Sequence, residues 1–541
     1  MKRPLPDDGH LLLDIFTSRA VGGTLDYYTD VAELPRGPRT VKDLAAWPDA
    51  VCQALFTGTV AAHERRRRFD NIIQAGIIVG TDYSGKGGPE MMLRMVADAM
   101  QIPHFAHSYY ACDISSTCRS VLLSRCDRPL HVFPELRTRL PPEAVQCLRM
   151  LAPPPKASPD NARAAYMEIG KHLHSNRLRI FRPDSTSPCL AHPGQQCFVS
   201  PLMDKTFIES VQGASRFPPL LANIAGTTCT PWSPQGSRLG LAHEAMEPFY
   251  KWHSERSVRL EDVIGHENSP FFPTRIFVEQ LSSTHKVVTL ICGPDALGYP
   301  LRRRRQLSIG LRKSSLVWVG PNSQEEITKQ FWGLFCRQVV LDGDAYLCEN
   351  AVARRNYINQ WAKARKLFVN KDTDIDSFDI CSLLRGFMLQ SHQGYQKMFM
   401  AGPRFSNCFI ADLSQNPQSH NINSSFMPTQ ITHSTLYSFS RQCIFTPSEL
   451  MFAHGWPCIK DVCDQYDSMP FKLDQLSARQ QVHLSGNAMH LPMLAMFYLF
   501  VLSNCIRRDS MDVFDKWHLV AQESESDSEE QPDGEVTMQS H

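Results

Sequence analysis

The chain has 541 residues, a formal net charge of +1 and 43% apolar residues. That length exceeds one typical domain, so a core of about 250–300 residues with additions is expected. A charge this close to zero excludes a globally basic nucleic-acid binder, so any basic face must be local.

Nothing reads as a secretory signal, because the apolar stretch 11–16 is short and broken by Asp14. The 17 cysteines contain no C-x-x-C pair and read as reduced intracellular thiols. The longest apolar run, Leu491–Ser503, falls short of the ~20 residues that span a bilayer, which predicts a soluble chain without a membrane partner.

Residues 1–70 show no strong periodicity. Their basic cluster at 64–68 (ERRRR) reads either as a solvated helix face or as a phosphate-contact or nuclear-import patch. A short strand at 77–79 then enters the turn SGKGG, and a helix follows to about Met100. Such a glycine turn either is structural or brings backbone N–H groups and a helix N-terminus to a nucleotide-like ligand. Lys86 is no Walker lysine, since the G-x-x-x-x-G-K-[ST] spacing is missing.

A second strand at 108–113 ends in Asp113, and a helix is expected over 115–124. An acid at such a strand end can accept bonds from both hydroxyls of a ribose. Residues 131–133 make a third strand, followed by Glu135. Residues 140–219 are rich in proline at 152–159, helical at 162–175, and contain CLAHPGQQC with Cys189, His192 and Cys197. Zinc would need a fourth ligand from His172, His174 or Cys147; three ligands are a poor pattern, and no metal is assigned.

A fourth strand at 220–224 leads into AGTTCTPWSPQGSRLG, a small-residue loop presenting Cys229. Strand, tight loop and one reactive side chain is a sound way to build a nucleophile, although cysteine is equally at home as a buried hydrophobe. A helix over 241–256 precedes a fifth strand, 262–266, ending at Glu267 and Asn268. The other Glu-bearing candidate, at 278–280, lies in a helix. A sixth strand spans 286–292. GYPLRRRRQLSIG at 298–310 reads either as a solvated charge run or, if a strand begins at Gln306, as alternate arginines, Arg303 and Arg305, on one side. Helices are expected at 323–337, 351–366, 377–389 and from 492 to about 506. The acid- and serine-rich stretch 523–535 predicts a disordered tail.

Six of these stretches, in order and over about half the chain, resemble the cytosine-5 DNA methyltransferases. The loop around Cys229 resembles GGPPCQPFS-x-x-G-x-x-x-G: Cys229, Pro231, Ser233, Gly236 and Gly240 match, Trp232 replaces Phe, and Thr228 and Thr230 depart. DYSGKGG resembles F-x-G-x-G-G through Tyr83, Gly85, Gly87 and Gly88, with Thr81 in place of the usual acid. Glu267-Asn268-Ser269 resembles Glu-Asn-Val. GYPLRRRR resembles G-x-P-Q-x-R-x-R, with Leu301 for glutamine. FTPSELMFAHGWP and LSGNAMHLP resemble the returning C-terminal stretches, with Phe452 where arginine is usual.

The resemblance implies an α/β fold: a Rossmann-like S-adenosylmethionine methyltransferase sheet with helices on both faces, plus a smaller target-recognition region. It divides the chain into an N-terminal extension (1–70), a catalytic core (71–310, with 140–219 inserted), the recognition region (311–440), a return segment completing the core (441–510) and the acidic tail (511–541). It implies S-adenosyl-L-methionine held by Tyr83, Ser84, Gly85, Gly87, Gly88, Asp113, Glu135, Pro231, Asn487 and Ala488. Cys229 would add to cytosine C6, Glu267 would act at N3, Asn268 would orient the loop, and Arg303 and Arg305 would supply positive charge. The implied partner is DNA and the implied location the nucleus. RNA methylation, or a binder that has kept the fold without the chemistry, remains open.

Overall fold

Seven short apolar runs bounded by glycine or polar turns become the strands of one sheet. In the computed structural model the described residues are 34–102, 105–234, 236–259, 261–370, 375, 378–401, 408–419, 425–466 and 469–510. The acidic tail, 511–541, lies outside them. The strands are β1 (Ile77–Asp82), β2 (Ala106–Cys112), β3 (His131–Phe133), β4 (Leu220–Gly226), β5 (Val263–Asn268), β6 (His285–Cys292) and β7 (Arg305–Arg312). Their order across the sheet is 3-2-1-4-5-7-6, and β7 runs antiparallel to both neighbours. The expected doubly wound α/β sheet is therefore present. Chain order reverses between the adjacent strands β1 and β4, and ligands of such sheets bind at that switch point, beyond the strand C-termini.

The period of two in each strand separates two cores. Ile77, Val79, Leu220, Ala222 and Ile224 face one; Ile78, Leu221 and Ala225 face the other. The first core holds α1 (Gly88–Met100) and the C-terminal helix α3 (Leu491–Ser503). Every side chain of α3 is buried, as expected for a helix apolar all round. The second core is covered by α2 (Met246–Arg259), which also buries Lys251, His253, Glu255, Arg256 and Arg259.

Three segments differ from their expected roles. Residues 41–72, expected as an extension, form the helices Val41–Ala45, Trp47–Phe56 and Val60–Ile72, and their apolar faces join the first core. Trp47 Nε1 donates to the Gly455 carbonyl at 2.9 Å. Within ERRRR, Arg65 is buried with its Nε on the Leu55 carbonyl, while Arg66 pairs with Asp70 and Arg67 and Arg68 pair with Glu64. The cluster therefore forms local helix pairs.

The 140–219 insertion is a layer of the fold, because its helix Pro159–Ser175 buries Tyr166, Ile169 and Leu173 against α2. Gly170 permits that approach; a Cβ there would stand 3.0 Å from the Tyr250 ring. The start of 311–440 also belongs to the core. Leu316–Trp318 pairs with Cys505–Arg507, and Phe331 of helix Gln324–Phe335 meets Phe500. A separate cluster begins at Ile358 and runs to Ile444. There the helix expected at 377–389 is displaced: Asp379 caps a 3-10 turn at Ile380–Leu383, and the helix spans Gly386–Ala401.

Gly265, central in β5, shows how closely α3 sits. A Cβ at this position would fall 1.4 Å from the Tyr498 hydroxyl. The ring belongs to a wholly buried helix and has nowhere to swing. Gly265→Ala is expected to destabilise the protein by about 3 kcal/mol. An unchanged urea midpoint would show that α3 can retreat freely.

Candidate active site

The C-terminal ends of β1, β2, β4 and β5 and the start of the antiparallel β7 lie on one side of the sheet, and the chemistry-bearing residues lie at or just beyond them. β1 ends at Asp82, and the chain turns through Tyr83 (φ 53°), Gly85 (φ 57°) and Gly87 (φ 87°) into α1. Arg125 braces this turn from beneath through the carbonyls of Lys86 (2.7 Å) and Gly87 (3.2 Å). A Cβ on Gly87 would come within 2.4 Å of the same guanidinium, so glycine is required there. Gly85 faces open space.

Asp113 lies one residue past β2. Its carboxylate accepts from Gly85 N–H and Ser115 N–H, each at 2.8 Å, which ties the strand end to the turn. Burial pushes this carboxyl above its ordinary range, against those two bonds. Ser84 Oγ accepts from Cys112 N–H at 2.8 Å. Glu135 lies two residues past β3, within electrostatic reach of Lys251. On the α1 side, Thr81 Oγ1 donates to Glu90 at 2.6 Å. The neighbouring Asp82 faces the other side of the sheet and bonds Arg139, Tyr110 and Asn223.

Cys229 follows β4 by three residues and is half-buried. Its carbonyl accepts from Trp232 N–H (3.0 Å) and Ser233 N–H (2.8 Å), and the buried Pro231 accepts from Gly240 N–H (3.1 Å). A Cβ on Gly236 would strike the Thr230 carbonyl oxygen at 2.1 Å, so the loop closes only around glycine. Trp232 packs edge-on against Phe272 and fixes the outer wall.

Strand register carries Glu267 to the same place, because it pairs with Gly226 at the root of the Cys229 loop. Arg305 Nε lies 2.9 Å from Glu267 Oε1, and both side chains are nearly nine-tenths buried. Asn268 donates to Thr227 Oγ1 at 2.7 Å, so it holds the residue two before Cys229. Arg303 is buried, with its guanidinium on the Gln430 and Gly486 carbonyls. Burial and the adjacent Arg305 pull Arg303 down to about 9, while Glu267 and Cys229 act to raise it. It remains a cation at neutral pH. Arg302 and Arg304 lie within reach of Asp295 instead, so the four arginines do alternate between two surroundings.

The return segment closes the site. Asn487 caps helix Ala478–Gly486 and is exposed, with its amide on His483 at 3.2 Å; Ala488 is buried. Met489, not anticipated from the sequence, reaches across. Its Cε lies 2.4 Å from where a Cβ on Gly226 would stand, and its Cβ lies 3.8 Å from the equivalent point on Gly88. It thus bridges the glycine turn and the root of the Cys229 loop. Its place directly after Asn487 and Ala488 was the available signal.

Lys86 was also missed. Its Nζ donates to the Leu484 carbonyl at 2.8 Å and sits over the Trp456 ring, and burial pulls its pKa down to about 7. His454 and His490 lie beneath, kept neutral by burial and by Arg303. A groove of about 490 Å³ runs between α1 and β2, but it is lined by Leu93, Ala97 and Phe105 and lies away from Cys229 and Asp113.

No family model and no curated relative matches the chain. Its fold is similar to several solved structures. An E. coli prophage protein described as a DNA modification methyltransferase is 12% identical with a TM-score of 0.34, covering 79% of this chain and 98% of that one. Dnmt2 methyltransferase of S. pombe is 11% identical with a TM-score of 0.35, covering 79% and 98%. A DNMT2 mutant of Spodoptera frugiperda is 13% identical with a TM-score of 0.37, covering 79% and 99%. Likeness at this level does not speak to chemistry, which rests on the residues above.

Proposed function

We propose that the protein transfers a methyl group from S-adenosylmethionine to C5 of cytosine in DNA, through a covalent adduct between Cys229 and C6. The observation that carries this reading is the convergence of Cys229, Glu267, Arg303 and Arg305 at the ends of β4, β5 and β7. A soft nucleophile, a carboxyl group and fixed positive charge are what nucleophilic activation of an electron-poor ring requires.

The thiolate, not the thiol, is the nucleophile, and Arg303 lies within electrostatic reach of Cys229. Addition at C6 pushes electron density toward C5 and N3. Glu267, positioned by Arg305, hydrogen-bonds or protonates N3 as that charge develops. Asn268, through Thr227, keeps the thiol in line. Once C5 has taken the methyl group that the cofactor would supply, leaving the demethylated cofactor, loss of the C5 proton to a base and cleavage of the C6–S bond would free Cys229. The target base must leave the helical stack to reach it, at a cost of a few kcal/mol.

The glycine turn fits the cofactor, which supplies an electrophilic methyl group. Gly85 opens onto empty space beside the Asp113 carboxylate, whose free lone pairs suit ribose hydroxyls, and α1 offers its N-terminus. On this reading Tyr83, Ser84, Gly87, Gly88 and Glu135 would line the cofactor from the side of the glycine turn, and Pro231, Asn487 and Ala488 would contribute from the Cys229 loop and the return segment.

The test is transfer of radiolabelled methyl from S-adenosylmethionine to DNA and, in parallel, to total transfer RNA. Label on DNA that falls to background in Cys229→Ala, with cofactor binding retained, is the expected result. Label on RNA alone would move the activity to that substrate. No label on either would leave a binding protein.

A further inference from the structure

The insertion and the edge strand β3 together form a second cluster, which shares no residue with the Cys229 site. Thr186–Pro188 and Gln196–Phe198 form an antiparallel hairpin. Cys189 N–H bonds to the Gln195 carbonyl (3.1 Å), Gln195 N–H bonds to the His192 carbonyl (3.0 Å), and Gly194 turns the chain at φ 80°. This turn lies against the outer edge of the sheet, where Leu190 N–H donates to the Val132 carbonyl at 2.8 Å. His131, on edge strand β3, meets it there.

Cys189 Sγ is 3.4 Å from His192 Nδ1 and 3.7 Å from His131 Nδ1, and Cys197 Sγ is 3.7 Å from His192 Nδ1. All four ligand atoms lie within 4.8 Å of one another. Zn–S and Zn–N bonds of tetrahedral geometry put neighbouring ligand atoms about 3.3–3.8 Å apart. The fourth ligand is thus not His172, His174 or Cys147; His172 and Cys147 face each other elsewhere, 3.8 Å apart.

We propose that His131, Cys189, His192 and Cys197 bind one zinc ion. Four protein ligands leave no open position, so the site is structural. A hairpin of three-residue strands is marginal on its own, and β3 is an equally short strand at the edge of the sheet. The ion fastens one to the other.

The full-length protein, purified without chelator, is expected to hold one zinc per chain by elemental analysis. Cys197→Ser and His131→Ala should each lose it, while Cys147→Ser keeps it. Cobalt replacing the zinc should give tetrahedral ligand-field bands with thiolate charge-transfer absorption, which reads the site in the unsubstituted protein should the variants misfold. Folded protein without zinc that takes up no cobalt would overturn the assignment. So would full zinc occupancy in Cys197→Ser.

Discussion

Glu267→Gln is expected to lower methyl-transfer turnover by about 10²–10⁴-fold, the range supplied by one positioned proton donor or acceptor. The amide keeps the shape of the carboxyl, so the β5 end and Asn268 stay in place and cofactor binding should hold. What is lost is the ionisable partner of Arg305 and, in the proposed reaction, the group that meets charge developing at N3. Trapping on 5-fluorocytosine DNA, in which the adduct cannot release, should slow in parallel, because the proposed reaction has the carboxyl act during thiol addition. Glu279→Gln is the control. Glu279, the other Glu-bearing candidate, lies exposed on helix Thr274–Leu281 with Arg275 at 2.9 Å. Equal losses in both variants would remove Glu267 from the reaction.

Arg139→Met should cost about 3–5 kcal/mol of stability, the range for stripping one partner from a buried ion network. Arg139 joins Asp82 (2.7 Å) to Glu255 (3.0 Å), and Glu255 also holds Arg256 (2.8 Å) and Arg259 (2.8 Å). All five side chains are essentially shut from water. Burial alone would raise Glu255; Arg256, Arg259 and Arg139 overcome it and hold the carboxyl well below its ordinary range. Because the folded value is depressed, this contribution is present above the unfolded value near 4.5 and is lost as pH falls below it. Adding Asp82→Asn to Arg139→Met should recover part of the loss, since it removes one uncompensated charge. A single-variant loss under 1 kcal/mol would mean that water reaches the network.

The sheet was legible because its strands are short apolar runs ended by glycine or by acids. β3, β4 and β5 fall within a few residues of their expected limits. The alternation expected of the arginines is seen in their surroundings, Arg302 and Arg304 toward Asp295 and Arg303 and Arg305 toward Glu267, although the strand itself begins only at Arg305. The layer formed by 140–219 was not legible. Its partner α2 presents lysine, histidine, glutamate and arginine to the interior, so no apolar stripe marks which face is covered. His131 could not be counted as a ligand from spacing, being 58 residues from Cys189 and on a strand that reads only as core. Lys86 looked like a solvated turn residue because its burial comes from Leu484 and Trp456, almost 400 residues downstream.

That long reach sets the order of assembly during synthesis. The last sheet strand is complete at Arg312, yet the face that receives α3 stays bare until residue 503 is made. At ribosomal speeds of about 5–20 residues per second, the gap lasts roughly 10–40 s. Through that interval Ile77, Val79, Leu220 and Ile224 have no cover from the C-terminal helix, and Met489 has not yet joined the glycine turn to Gly226. The nascent chain is then exposed to aggregation, and chaperone demand should concentrate there. A nonsense codon between Arg312 and α3 would yield a chain with all seven sheet strands but without the return segment that closes the candidate site.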